Sequence, residues 1–108
     1  MKFGITVLAL ASWGGVAIGT AALAAGNPAA GQRAATVCLA CHGPGGVSVN
    51  ALWPNLAGQK NDYILKQLHG FKDDTRKDSL MTPIAKNLSD TEMEDLAAYF
   101  SGLATCTK

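Results

Sequence analysis

The chain has 108 residues with nine basic and eight acidic side chains, which give a formal net charge of +1. This length allows one small domain at most, and such a domain often needs an additional cross-link or bound group to supplement its small core. With this nearly neutral charge, nothing in the sequence suggests nucleic-acid binding, which requires a basic face.

The first segment has the pattern of a secretory signal. Lys2 precedes an apolar run that ends at Ala25, and Ala22-Leu23-Ala24 fits the A-x-A cleavage pattern. Cleavage after Ala24 or Ala25 divides the chain into a signal peptide, residues 1–25, and an exported domain, residues 26–108. The run approaches the length of a membrane span. However, glycines dilute it and no positive cluster follows, which disfavours an uncleaved anchor.

Two helices are predicted in the first two thirds of the exported domain. Asn27-Pro28 begins the first helix, which covers Ala29 to Leu39 and stops at the Gly- and Pro-rich segment 42–46. Asn61 or Asp62 caps the second helix. Its apolar residues recur at helical spacing, and they are Ile64, Leu65, Leu68 and Phe71. The segments 47–60 and 73–83 carry no sustained period and are predicted to be loops.

The last helix has the clearest boundary signal. Ser89 and Glu92 have the spacing of a capping box, in which each side chain satisfies a free backbone donor. An apolar face follows at helical spacing, and its members are Met93, Leu96, Ala97, Phe100 and Leu103. No strand pattern occurs, so the predicted class is all-α. Because long loops are unusual in a compact domain, a large apolar cofactor is expected to organise them.

The motif Cys38-Leu39-Ala40-Cys41-His42 carries the chemistry. It matches the pattern of c-type haem attachment. Two cysteines three residues apart lie on one side of a helical turn, so each sulfur can bond one vinyl group of the same porphyrin. The next residue then presents an imidazole to the iron as the proximal ligand.

Other interpretations of this motif fit less well. A thioredoxin-like site expects a preceding strand, and a structural zinc site needs four ligands, whereas only His69 and Cys106 remain elsewhere. A disulfide between Cys38 and Cys41 would leave His42 unexplained. Haem attachment is therefore the preferred hypothesis.

The second axial ligand has three candidates besides an open site. Met93 belongs to the apolar stripe of the last helix, where a thioether usually fills the core, and His69 lies among polar residues of the second helix. Met81 stands instead in a predicted irregular loop before Thr82-Pro83, which can hold its sulfur rigidly against iron. Elimination therefore favours Met81.

The exported domain resembles the class I cytochromes c, especially the bacterial periplasmic group whose domains also occur doubled in dihaem cytochromes. The matching positions extend through the whole domain: Gly31; Cys38–Gly43; Trp53–Gln59; Tyr63, Gln67, Leu68 and Phe71; Met81, Pro83 and Ala85; Leu88–Asp90; and Leu96–Phe100. A departure is Asp74, where relatives often have glycine.

The resemblance implies a class I cytochrome c fold, with three to four short helices around one covalently bound haem c. Gly31 would let the last helix approach the first helix closely near Tyr99 or Phe100. The Pro54 carbonyl would accept a hydrogen bond from the His42 ring nitrogen that does not bind iron. Arg76 would lie near a haem propionate, or remain a solvated loop charge. The apolar lining is predicted to comprise Leu52, Leu56, Leu68, Ile84 and Leu88.

An iron bound by both His42 and Met81 has no open position, so the protein is expected to be an electron carrier and not an enzyme. Donor and acceptor redox proteins would bind transiently, and contact with a membrane would occur only through their complexes. One alternative is a dedicated cytochrome subunit of an exported dehydrogenase. Another is a five-coordinate gas sensor or peroxidase, which requires that Met81 does not bind.

Cys106 has no partner assigned by the motif. A leftover cysteine in an exported protein suggests intermolecular pairing, but a free thiol in a short tail is the preferred interpretation. The protein is therefore expected to be monomeric, with a Cys106-linked dimer as the alternative.

Overall fold

The computed structural model describes residues 26–105, together with Met1, Gly4, Gly14 and Gly15. The predicted signal peptide, apart from those four positions, and Cys106 lie outside the described residues. The described chain forms five α-helices and one 3₁₀ turn: α1 (Pro28–Ala34), α2 (Thr36–His42), the 3₁₀ turn Pro44–Gly46, α3 (Asn61–Lys72), α4 (Met81–Lys86) and α5 (Asp90–Ser101). Residues 26–105 contain no β-strand, so the all-α prediction is confirmed.

The first predicted helix is interrupted at Ala35. This residue is helical in its dihedral angles, and its amide donates to the Gly31 carbonyl at 2.8 Å. Its own carbonyl accepts from the amides of both Cys38 and Leu39, which tightens the turn between α1 and α2. The two helices together form one bent segment that reaches His42, three residues beyond the predicted end. Counted in this way, the fold has four helical segments.

Two sequence predictions about helix boundaries are wrong. The cap of α3 is Lys60, which makes no side-chain capping bond, and not Asn61 or Asp62. The predicted loop 73–83 ends early because Met81 begins α4. Pro83 lies within the first turn of that helix, where a missing amide hydrogen costs no intrahelical bond. The capping box of α5 is present as predicted: the Ser89 hydroxyl accepts from the Glu92 amide, and the Glu92 carboxylate accepts from the Ser89 amide.

Helices α1 and α5 cross in close contact at Gly31. A Cβ placed on Gly31 would lie 2.0 Å from the Asp95 carbonyl oxygen and 2.8 Å from the Tyr99 Cβ. Only glycine therefore permits this distance, which confirms the implied role of Gly31. At the start of α1, the Asn27 amide donates to the Asp95 carboxylate at 2.6 Å, so the two helices are also joined by a polar contact.

The core lies where α5 packs against both α1 and α3. Its central cluster comprises Ala35, Ile64, Leu96, Ala97 and Phe100. The predicted apolar face of α5 is confirmed: four of its residues are buried, while Leu103 is partly buried against the cluster. Among the described residues, no helix is long and apolar enough to cross a membrane.

Candidate haem site

A cavity of about 530 Å³ opens beside this core, within the range typical of cofactor sites. Its wall includes all four residues that the sequence singled out for haem: Cys38, Cys41, His42 and Met81. Three of these residues come from α2 and one from the first position of α4, which are about forty positions apart in sequence. The fold therefore brings the predicted site residues together.

The two cysteines lie on adjacent turns of α2 and both line the cavity. Each is a partly buried free thiol. Burial raises the pKa of the Cys38 thiol, because the charged thiolate loses its hydration there. Both sulfurs are thus available at the same wall, as covalent attachment of one porphyrin requires.

His42 ends α2 and is only 7% exposed. Its Nδ1 lies 2.7 Å from the Pro54 carbonyl oxygen. Since a carbonyl can only accept, Nδ1 carries the hydrogen and Nε2 keeps a lone pair for a metal. The predicted contact with Pro54 is confirmed. It orients the imidazole and increases its strength as a ligand.

The loop that carries Pro54 is folded back against the end of α2. Gly43 has φ +83°, and a Cβ there would lie 1.9 Å from the Val47 carbonyl oxygen, so the reversal after His42 requires glycine. The Gly46 carbonyl then accepts from the amides of Leu56 and Ala57 at 2.8 and 3.0 Å. This closed loop holds the Pro54 carbonyl next to the imidazole, although the loop contains no regular strand.

Met81 is partly buried and lines the cavity from the start of α4. The expectation that it stands in an irregular loop is wrong, yet its place in the site agrees with the prediction. The rival ligands lie elsewhere: Met93 is fully buried in the protein interior, and His69 is not part of the cavity wall. Of the three candidate second ligands, the structure therefore places only Met81 in the cavity with His42.

The turn that leads into α4 is held by Asp78, which also lines the cavity. Its carboxylate accepts from the amides of Leu80 and Met81, both at 2.8 Å. These bonds hold the pKa of the Asp78 carboxyl below its usual range, with the bond from Met81 as the largest cause. Sequence reasoning missed this residue, although an Asp side chain in a turn commonly accepts hydrogen bonds from backbone amides two positions further along.

The apolar wall matches most of the predicted lining. Leu52, Leu56, Leu68 and Ile84 contribute to it, while Leu88 does not and packs against the core cluster. The prediction for Leu88 is therefore wrong, because the chain turns towards the core after α4. The wall also includes apolar residues that the sequence assigned to helix faces without linking them to the site: Ile64, Phe71, Leu96 and Phe100.

Arg76 lies at the cavity and is exposed to solvent. Its guanidinium stands 4.5 Å above the centre of the Phe71 ring, and it donates a hydrogen bond to the Gln67 side-chain carbonyl. These two contacts fix a positive charge at the cavity, which suits an anionic group of a bound cofactor.

The residues fit a haem. Two thiols, an imidazole with a free nitrogen and a thioether share one largely apolar cavity, which is the donor set of a c-type site. Fold and cavity together define a helical protein of the covalent haem-binding class.

The chain belongs to the cytochrome c family, whose family model matches residues 28–104. Its fold is the class I cytochrome c fold, and as a member of the family it carries covalently bound haem c with iron. The prediction of family, fold and cofactor is thus confirmed.

Two relatives differ in their length. Cytochrome c4 of Thiocapsa roseopersicina is 53% identical over 77 residues, which are 70% of this chain and 40% of that protein. Cytochrome c-554(548) of Halomonas halodenitrificans is 41% identical over 80 residues, which are 71% of this chain and 96% of that protein. The chain thus spans less than half the length of the cytochrome c4 relative.

A solved structure shares the fold. It is a thiosulfate dehydrogenase from Marichromatium purpuratum, with a TM-score of 0.71 and 35% identity; the match covers 75% of this chain and 20% of that chain. The similar region is again one part of a longer protein.

Proposed function

We propose that this chain is a monohaem electron carrier of the periplasm, and not an enzyme by itself. Cys38 and Cys41 form the two thioether bonds, and His42 and Met81 are the axial iron ligands. One observation supports the assignment above all: His42 and Met81 line the same cavity as both cysteines, while Met93 and His69 are absent from its wall.

When bound, the haem supplies a one-electron couple between ferric and ferrous iron. The chain's own residues supply the surroundings. The Pro54 carbonyl holds the His42 imidazole at a fixed orientation, and buried side chains of α3 and α5 keep water from the inner wall. With His42 and Met81 as its ligands, the iron would offer no open position to a substrate, and electron transfer is the function that this arrangement supports.

The absorption spectrum of the oxidised holoprotein tests the ligand assignment. We expect a low-spin spectrum with the weak near-infrared sulfur-to-iron band, and Met81→Ala should abolish that band. Met93→Leu is the matched control, because it removes the other buried sulfur with little change in volume and should leave the band intact. A high-spin spectrum of the wild type would instead support a gas sensor or peroxidase.

The partners of this carrier are proposed to be donor and acceptor redox proteins that bind transiently. Four apolar or aromatic side chains of the cavity wall are at least 48% exposed: Val37, Leu52, Tyr63 and Leu80. Without Lys2 the basic and acidic residues balance, so attraction between net charges contributes little to docking. The rate of electron transfer should therefore depend weakly on ionic strength, as stopped-flow kinetics with a periplasmic extract can measure.

A second candidate function is that of a cytochrome subunit that accepts electrons within an exported dehydrogenase complex. The structural similarity to a thiosulfate dehydrogenase favours it. Size-exclusion chromatography of the native periplasmic extract separates the two functions. Elution as a free monomer supports the carrier, whereas stable co-elution with a dehydrogenase supports the subunit.

Export and oligomeric state have direct tests. Mass spectrometry of the mature protein should show cleavage after Ala24 or Ala25, in agreement with a signal peptide over residues 1–25. A non-reducing gel should show a monomer. A dimer that dissociates on addition of a reductant would instead establish an intermolecular disulfide through Cys106.

A further inference from the structure

The start of α4 is held by one exposed carboxylate. Asp78 Oδ1 accepts from the amides of Leu80 and Met81, each at 2.8 Å. The backbone carbonyl of Asp78 accepts from the Thr82 amide at 3.0 Å, and the Thr82 hydroxyl accepts from the Asp78 amide, also at 3.0 Å. Asp78 therefore satisfies three successive amides of this turn, and Thr82 closes the loop back to it.

These hydrogen bonds matter more for α4 than they would for a long helix. The helix has only six residues, and only Ala85 within it is fully buried. A helix this short does not form alone, because nucleation outweighs the few hydrogen bonds gained. Its first residue is Met81, so the hydrogen bonds to Asp78 determine where the backbone of the proposed sulfur ligand lies.

We propose that Asp78 is a positioning residue for the axial methionine: its carboxylate anchors the Met81 amide and so holds the Met81 sulfur in the cavity. The inference rests on the proposed ligation by Met81 and goes beyond it, since it names the group that keeps this ligand in place. The essential feature is an acceptor oxygen at position 78, and not the negative charge.

The affinity of the ferric holoprotein for imidazole tests the proposal, because imidazole binds iron only after the sulfur has left. Loss of the two side-chain hydrogen bonds weakens the turn that carries Met81, and Asp78→Ala should therefore increase imidazole affinity about fivefold. Asp78→Asn retains an acceptor oxygen in the same position and should stay within about twofold of the wild type. Asp73→Ala is the matched control, because it removes an exposed carboxylate that makes no side-chain hydrogen bond and does not line the cavity.

The sulfur-to-iron band provides a second measurement. It should weaken on warming at a lower temperature in Asp78→Ala than in Asp78→Asn or Asp73→Ala, while the far-ultraviolet circular dichroism still shows a folded protein. The proposal is overturned if Asp78→Ala binds imidazole as the wild type does, or if Asp78→Asn is as impaired as Asp78→Ala. A wild type that lacks the band overturns the ligation by Met81 itself, so the two failures are distinguishable.

Discussion

Gly31→Ala tests whether the crossing of α1 and α5 determines the stability of this domain. The added Cβ would lie 2.0 Å from the Asp95 carbonyl oxygen and 2.5 Å from its carbon, whereas ordinary contact begins at 3.4 Å. Because these atoms belong to the backbone of α5, no side-chain rotation relieves the clash. The helices must separate by about 1.4 Å, and overpacking of this kind costs about 1–3 kcal/mol.

The measurement is the free energy of unfolding of the holoprotein in guanidinium chloride, followed by far-ultraviolet circular dichroism. A loss of about 2 kcal/mol corresponds to a decrease in Tm of roughly 10 °C for a domain of this size. Gly70→Ala is the matched control. It is also a Gly→Ala change within a helix, but the added Cβ would have its nearest neighbour, the Arg76 Cβ, at 3.3 Å. The gain in helix propensity therefore offsets the slight crowding. Equal stability of the two variants would refute the reasoning.

Three further predictions concern stability. Asp74 has φ +62° and binds Lys86 at 2.7 Å through an ion pair that is about half exposed. Asp74→Ala and Asp74→Gly both lose this pair, but only alanine keeps an unfavourable backbone conformation, so denaturant unfolding should show Asp74→Ala less stable than Asp74→Gly, and the reverse order would contradict this explanation. A hydrogen bond from the Ser89 amide holds the pKa of the Glu92 carboxyl below its usual range, so the capping box stabilises the fold above about pH 4.5, and this stabilisation is lost as the pH falls through the folded-state pKa. The acid-induced loss of stability should therefore be smaller in Glu92→Gln than in the wild type, and an unchanged pH profile of stability would argue against a role of the capping box. Phe100 is 2% exposed and contributes to both the core and the cavity wall. Phe100→Ala should lower the free energy of unfolding by about 3–5 kcal/mol in the same assay, and a loss below about 1 kcal/mol would mean that neighbouring side chains fill the space that the ring leaves.

Most of the site was predictable because its chemistry is local in sequence. Two thiols and an imidazole within five positions, Cys38 to His42, specify one cofactor face as soon as the segment is helical. Excluding the alternatives favours Met81 as the second ligand, and this residue lines the cavity together with His42. Its surroundings were predicted incorrectly, because a six-residue helix with an early proline carries too weak a pattern to be distinguished from a loop.

The roles of Leu88 and Asp78 show where sequence reasoning ends. Both lie within eight positions of Met81. Leu88 packs against the core cluster, whereas Asp78 accepts a hydrogen bond from the Met81 amide at the start of α4. The spacing of apolar residues indicates which side of a helix is buried. It does not indicate whether that side faces the cavity or the core. That distinction depends on how α4 packs between α3 and the chain that leads to α5.

The sequence by itself determined the class of cofactor, the all-α composition and the capped last helix, because each depends on residues within one or two helical turns. The tertiary structure decided three things: the approach of α5 to Gly31, the contact of Pro54 with His42, and the meeting of Met81 with the haem-binding motif. Each joins residues twelve or more positions apart, so it exists only once the helices have packed. The haem-binding motif therefore specifies the cofactor, and the packing of the helices completes the site around the haem.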